Sequence, residues 1–233
     1  MFDVIAFDAD DTLWHNESHY QQAQADFAAL LADFISPDEL PDRLYQTEMK
    51  NLALYGYGAK SFMLSMVETA VTVSHGRVGG NTVQQIIELG RQMLAHPVEL
   101  LEHVPQTVAA LAKSHRLMVI TKGDLLDQES KLARSGIAHH FAHVEVVSHK
   151  NAAVYANLLQ KYAIAPQRFL MVGNSLPSDV LPVTEIGGQG VHIPYHVTWQ
   201  HEHAAGHPAA QNGYFELEHI GQLPDLLARL AGN

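Results

Sequence analysis

A chain of 233 residues, 47% hydrophobic and 17% charged, is long enough to bury a sizeable core as one large domain or as one domain carrying an insertion. Zero cysteines exclude a disulfide scaffold and any thiolate ligand or nucleophile, and a formal charge of −11 argues against a broad nucleic-acid or anionic-membrane surface. No apolar run has membrane-spanning length, and the first residues lack the basic-then-apolar pattern of a secretory leader, so a cytoplasmic location is expected.

The first predicted strand covers 2–8 (FDVIAFD) and runs into Asp8, Asp10 and Asp11. Three carboxylates beside apolar neighbours are costly unless a positive charge answers them. From 15 to about 95 no strand pattern occurs. Phe27, Leu30, Leu31 and Phe34 recur at i, i+3, i+4, i+7, and Val83, Ile86, Ile87 and Gly90 repeat that spacing behind Asn81 and Gln84, which are placed for a capping box. Segments 38–54 and 59–74 also read as helices. These four helices predict a bundle over 15–96, a cap inserted into a core made of 1–14 and 97–233. Pro97 and Pro105 flank the return to the core, either as a hinge or as the end of one helix and the start of the next.

Beyond that point, strands at 116–121, 143–147, 168–172 and 190–193 alternate with helices at about 125–135, 151–162, 178–186 and 222–231, and 214–217 reads as a further short strand. The alternation predicts an α/β fold: a Rossmann-like parallel β-sheet core with helices on both faces and an inserted four-helix-bundle cap.

In an open parallel sheet, ligands bind beyond the carboxyl ends of the strands, where strand order reverses. The residues there are Asp8, Asp10, Asp11 and Thr12 after the first strand and Thr121, Lys122, Gly123 and Asp124 after the second. Ser148, His149 and Lys150 follow the third strand; Gly173, Asn174, Ser175 and then Asp179 follow the fourth. Helix caps account for one or two such polar clusters, not for four. If the first strand runs on, Asp8 and Asp10 point the same way, and their repulsion calls for a cation between them. Oxygen ligands with a third acid suit Mg²⁺, and Asp179 supplies that acid if the fourth strand lies beside the first.

The stretch "FDADDT" resembles the first motif of the haloacid dehalogenase-like hydrolase superfamily, hhhhDxDx[T/V], with Asp8, Asp10 and Thr12 in its defining places. "MVITKGD" is similar to the second motif through Thr121, "VSHKNAAVYANLL" to the third through Lys150, and "MVGNSLPSDV" to the fourth, GDxxxxD, through Asp179. All four come in order over 2 to about 195, and the helical insertion between the first and second fits the helical-cap branch. The chain departs from the pattern at Asn174, which stands where the fourth motif usually carries its first acid and brings no charge.

The resemblance implies a Mg²⁺-dependent phosphatase acting on a small phosphorylated metabolite through an aspartyl-phosphate. In that reading Asp8 is the nucleophile and Asp10 the general acid and base. Thr121, Lys122, Gly123 and Lys150 hold the phosphate, and the metal is bound by Asp8, the Asp10 backbone carbonyl, Asp179 and Asn174 through water. Asp10 also separates this chain from dehalogenases and phosphonatases, which lack an acid two residues after the nucleophile. A phosphotransferase or mutase on the same fold is compatible with both aspartates.

Around that set the residues have plainer readings. Asp11 suits a turn or helix cap, and Trp14 suits packing better than substrate contact. His15 reads equally as either, and Lys60, near Tyr55 and Tyr57 at a turn between cap helices, is a candidate for substrate selection. His192, His196, His201, His203 and His207 match no closed zinc site and read as loop histidines; a non-catalytic, His-rich metal-binding or interaction protein is the alternative they leave.

Overall fold

The computed structural model describes residues 2–196 and 214–232, so His201, His203 and His207 lie outside the described residues. The described chain divides into two compact units, one of 1–17, 98–122 and 129–233, the other of 18–97 and 123–128.

The first unit is built on a six-stranded, all-parallel sheet: β1 (Val4–Phe7), β2 (Arg116–Lys122), β3 (Phe141–Val147), β4 (Phe169–Gly173), β5 (Gln189–His192) and β6 (Tyr214–Glu216). Their spatial order is β3-β2-β1-β4-β5-β6. All four residues of β1 and all five of β4 are buried, as continuous apolar runs should be when helices cover both faces. Alternate residues serve opposite cores. Ile5, Phe7, Leu170 and Val172 pack with Val108 of α5 (Val104–Leu111) and Leu226 of α9 (Leu223–Ala231). Val4, Ala6, Met118 and Met171 pack with Tyr155 and Leu159 of α7 (Ala152–Lys161) and with Val183 of α8 (Leu181–Glu185).

The second unit consists mainly of α1 (Glu17–Leu30), α2 (Leu40–Tyr55), α3 (Ala59–Val73) and α4 (Gly80–Ala95), around a core of Phe27, Leu31, Leu44, Phe62, Met66 and Ile86. Residues 123–128, which include the first turn of α6 (Leu125–Arg134), group with it.

Two local expectations need correction, and one alternative is decided. The capping box at Asn81 does not form: the extended cap conformation falls on Gly79 (φ −77°, ψ 156°), and α4 begins at Gly80, so Asn81 already lies in the first turn. Pro97 and Pro105 take the second of their two readings, Pro97 falling just past α4 and Pro105 in the first turn of the eight-residue α5. The stretch predicted as a helix from 178 starts instead as a π-turn over Leu176–Val180, and only Leu181–Glu185 is α-helical.

Candidate active site

Strand order reverses between β1 and β4. The chain leaves β1 for β2 and β3 on one side, then crosses to β4 on the other, with Phe7 paired to Val119 and to Val172. The ends of β1 and β4 therefore lie side by side, and the Asp8 N–H still donates to the Val172 carbonyl at 2.9 Å.

Asp179 reaches this point from the π-turn. Its Oδ2 accepts from the Ser175 N–H at 3.1 Å, and its own N–H returns to the Ser175 carbonyl at 2.8 Å. Gly173 makes room: a Cβ there would stand 2.2 Å from Asp179 Oδ2, well inside any permitted contact. Lys150 enters from the residue before Asn151, whose side chain caps α7 by accepting from the Val154 N–H at 2.9 Å. Its ammonium, 1% exposed, donates to Asp179 Oδ1 at 2.6 Å and to Asp8 Oδ1 by a shorter contact. One cation thus binds two buried carboxylates.

The electrostatics follow from that burial. Desolvation pushes the Asp8 carboxyl up to about 7 against the pull of Lys150, and the Asp179 charge adds to the rise. For Lys150 burial works against the ammonium, yet Asp179 and Asp8 outweigh it and hold the group above its ordinary value. The remaining Asp8 oxygen, Oδ2, is 3.3 Å from the Thr12 hydroxyl, which also lies 3.2 Å from Asn174 Oδ1 and accepts from the Asn174 N–H at 3.1 Å.

Asp10 has partners of its own. The strand stops at Phe7 and the chain turns, with Leu13 N–H donating to Ala9 at 2.8 Å and Asp11 at φ +62°. The Asp10 carboxylate accepts from the Trp14 indole at 2.7 Å and from Lys131 at 3.1 Å, and Lys131 also donates to Asn16 at 2.9 Å. Asp8 and Asp10 thus bond different cations, Lys150 and Lys131, and Asp179 shares Lys150 with Asp8, while the Asp10 charge still adds to the rise of the Asp8 carboxyl. Asp11 accepts from the Asn16 and Glu17 N–H groups at 2.9 and 3.0 Å, capping α1 as a turn aspartate should, and burial raises its carboxyl to about 7.

At the end of β2, Thr121 is 2% exposed and Lys122 donates to the Ser178 hydroxyl at 3.1 Å. Lys122 ends β2 and Ser178 lies in the π-turn after β4, the two strands that flank β1. Gly123 follows at φ +126°, a conformation that favours glycine. Trp14 is buried in the core, and His15 Nδ1 is 2.7 Å from the Tyr195 hydroxyl. Lys60 pairs with Asp124 at 2.8 Å, and Gly58 lies against the Asp124 backbone. Lys131, Ser178, Tyr195 and His192 are partners that spacing did not signal.

The family described as haloacid dehalogenase-like hydrolase matches residues 2–187. The chain belongs to the haloacid dehalogenase-like hydrolases. Within the family, it resembles a crystal structure of a haloacid dehalogenase-like hydrolase from Xanthomonas campestris at 38% identity and a TM-score of 0.89, over 99% of this chain and 92% of that one. It is also 29% identical to a glyceraldehyde 3-phosphate phosphatase of Methanothermobacter thermautotrophicus, over 85% of this chain and 88% of the relative. A 2-haloacid dehalogenase from Pseudomonas syringae shares the fold at 20% identity and a TM-score of 0.67, covering 99% of this chain and 100% of that one. No helix of the described residues is long and apolar enough to cross a membrane.

Proposed function

We propose that this hydrolase is a cytoplasmic, Mg²⁺-dependent phosphatase that removes phosphate from a small phosphorylated metabolite through an aspartyl-phosphate. The observation that carries the reading is the convergence of Asp8 and Asp179 on Lys150 at the switch point, with an independently held acid at Asp10.

In this reading an Asp8 carboxylate oxygen attacks phosphorus, the ester P–O bond breaks, and a proton from Asp10 neutralises the departing alkoxide. Water then attacks the acyl phosphate while Asp10 takes its proton, and the P–O bond to Asp8 breaks to release inorganic phosphate. Such acid–base assistance typically contributes about 10²–10⁴-fold. The Lys150 ammonium works against the burial that favours a protonated Asp8. Thr121, Lys122 and the Gly123 N–H complete the phosphate contacts, and Trp14, His15 and Lys60 bear on selectivity, Trp14 by steadying Asp10.

The donor set fits a hard cation. Among the described residues no three acidic or histidine side chains gather as a metal site. Two carboxylates and the Asn174 amide do gather around Thr12 and Lys150, and all three offer oxygen. Asp8, Asp179, the Asp10 carbonyl and Asn174 through water would hold Mg²⁺, which when bound supplies positive charge to the phosphoryl oxygens. The neutral Asn174 leaves one negative charge fewer than an acid would.

Residues 15–96 would serve as the cap that selects the substrate, with 1–14 and 97–233 as the core. The phosphatase relative acts, by its name, on a three-carbon aldehyde phosphate, which makes that class the first to test. Purified protein with Mg²⁺ should release phosphate from an aryl phosphate and from members of a sugar-phosphate panel. No release with Mg²⁺, or release undiminished in Asp8→Asn, overturns the reading.

A further inference from the structure

The loop after β4 carries Asn174, and its conformation is fixed from an unexpected side. His192, the last residue of β5, is 7% exposed, and its Nε2 lies 3.0 Å from the Asn174 main-chain carbonyl. A carbonyl only accepts, so Nε2 carries a hydrogen and donates to it. On the other side Nδ1 lies 3.2 Å from Glu216 Oε2, on β6, and the same carboxylate oxygen accepts from the Tyr214 hydroxyl at 2.8 Å. The backbone is already in register there, with Gly173 opposite His192 and His192 opposite Glu216.

The Asn174 residue held in this way makes two contacts with Thr12, through its N–H and through Oδ1, and Thr12 is the hydroxyl beside Asp8 Oδ2. A continuous polar connection therefore runs from Tyr214 through Glu216, His192, Asn174 and Thr12 to the outer oxygen of Asp8. Every link lies in the sheet unit. A histidine serving packing alone needs no acceptor on both ring nitrogens.

We propose that His192 is a positioning residue. It clamps the Asn174 peptide so that the Asn174 side chain and Thr12 keep the carboxylate of Asp8 oriented for its partners. The inference rests on the reading of Asp8 and Asn174 given above, and it predicts that the metal site depends on a buried imidazole that never touches the metal. Partners at one remove from a metal commonly change affinity or activity by about 10–100-fold when lost.

The experiment compares His192→Gln, whose side-chain amide can still donate to the Asn174 carbonyl, with His192→Leu, which cannot, alongside Asp8→Asn. Mg²⁺ binding is read by calorimetry, independently of turnover, and kcat and KM are measured on the aryl phosphate. The expected result is that His192→Leu binds Mg²⁺ about tenfold more weakly and loses about tenfold in kcat with KM nearly unchanged. His192→Gln should recover most of both. Equal loss in the Leu and Gln variants, or unchanged Mg²⁺ binding in both, overturns the clamp while leaving the phosphatase reading intact. Absence of phosphate release with the Mg²⁺ pattern preserved overturns the phosphatase reading and leaves the clamp. A parent protein that binds no Mg²⁺ overturns both.

Discussion

Asp8 and Asp179, 171 positions apart in the sequence, share the single ammonium of Lys150. Removing that cation while keeping both acids leaves uncompensated charge in the core, a loss typically of about 3–5 kcal/mol. Lys150→Met should therefore unfold at markedly lower urea concentration and lose at least about 10²-fold in kcat. Adding Mg²⁺ should restore stability to the variant more than to the parent, since the ion takes over the neutralising role. Urea titrations with and without Mg²⁺ check this.

The raised Asp8 carboxyl makes metal binding pH-dependent. A group near 7 in the folded chain is largely protonated at pH 6, and Mg²⁺ has to displace that proton. The rise in Tm on adding Mg²⁺ should be small at pH 6 and grow through pH 8. Asp8→Asn should flatten the dependence, which a thermal-shift series would reveal.

Asp10 is steadied by Trp14 and Lys131. Lys131→Met should lower kcat about tenfold and leave KM nearly unchanged, because the group lost orients an acid and does not bind the ester. A Trp14→Phe change should act in the same direction and carry an added packing cost of roughly 1 kcal/mol. Steady-state kinetics on each variant test both statements.

Gly173→Ala places a methyl group on Asp179. Either the strand end or the carboxylate has to move, so Mg²⁺ binding and activity should both fall severely. Stability should drop by about 1–3 kcal/mol, the usual cost of forced overpacking.

Glu48, in α2, has its carboxyl raised to about 7 by burial alone. For an acid with a folded value above its unfolded one, the folded state binds the extra proton between roughly pH 4.5 and 7. Stability from this site is greatest below that window and is lost as pH rises through it. Glu48→Gln should be neutral at pH 4 and stabilising by about 1–3 kcal/mol at pH 8, measured by urea denaturation.

Much of this arrangement could be read before any coordinates. The apolar runs at 2–8 and 168–172 marked buried parallel strands, and the placement of Asp179 followed from setting the fourth strand beside the first. The departure at Asn174 was visible too. What spacing did not convey was where side chains on short or irregular elements would point. The eight-residue α5 is too brief for its periodicity to stand out, and the π-turn that delivers Asp179 lacks a distinctive pattern. Lys131 lies 121 positions from the aspartate it holds, and His192 sits in a histidine-rich stretch where one buried ring looks like its neighbours. The chain turns after the four-residue β1, and the Asp10 carboxylate takes Trp14 and Lys131 as partners, neither of which spacing along the chain could have named.

The Lys122–Ser178 bond joins the end of β2 to the π-turn after β4, the strands on either side of β1. A bond of this kind restrains the turns beside Asp8 and Asp179 before any ester arrives. The entropy of alignment is then lost once, as the chain folds, and not again with every molecule turned over.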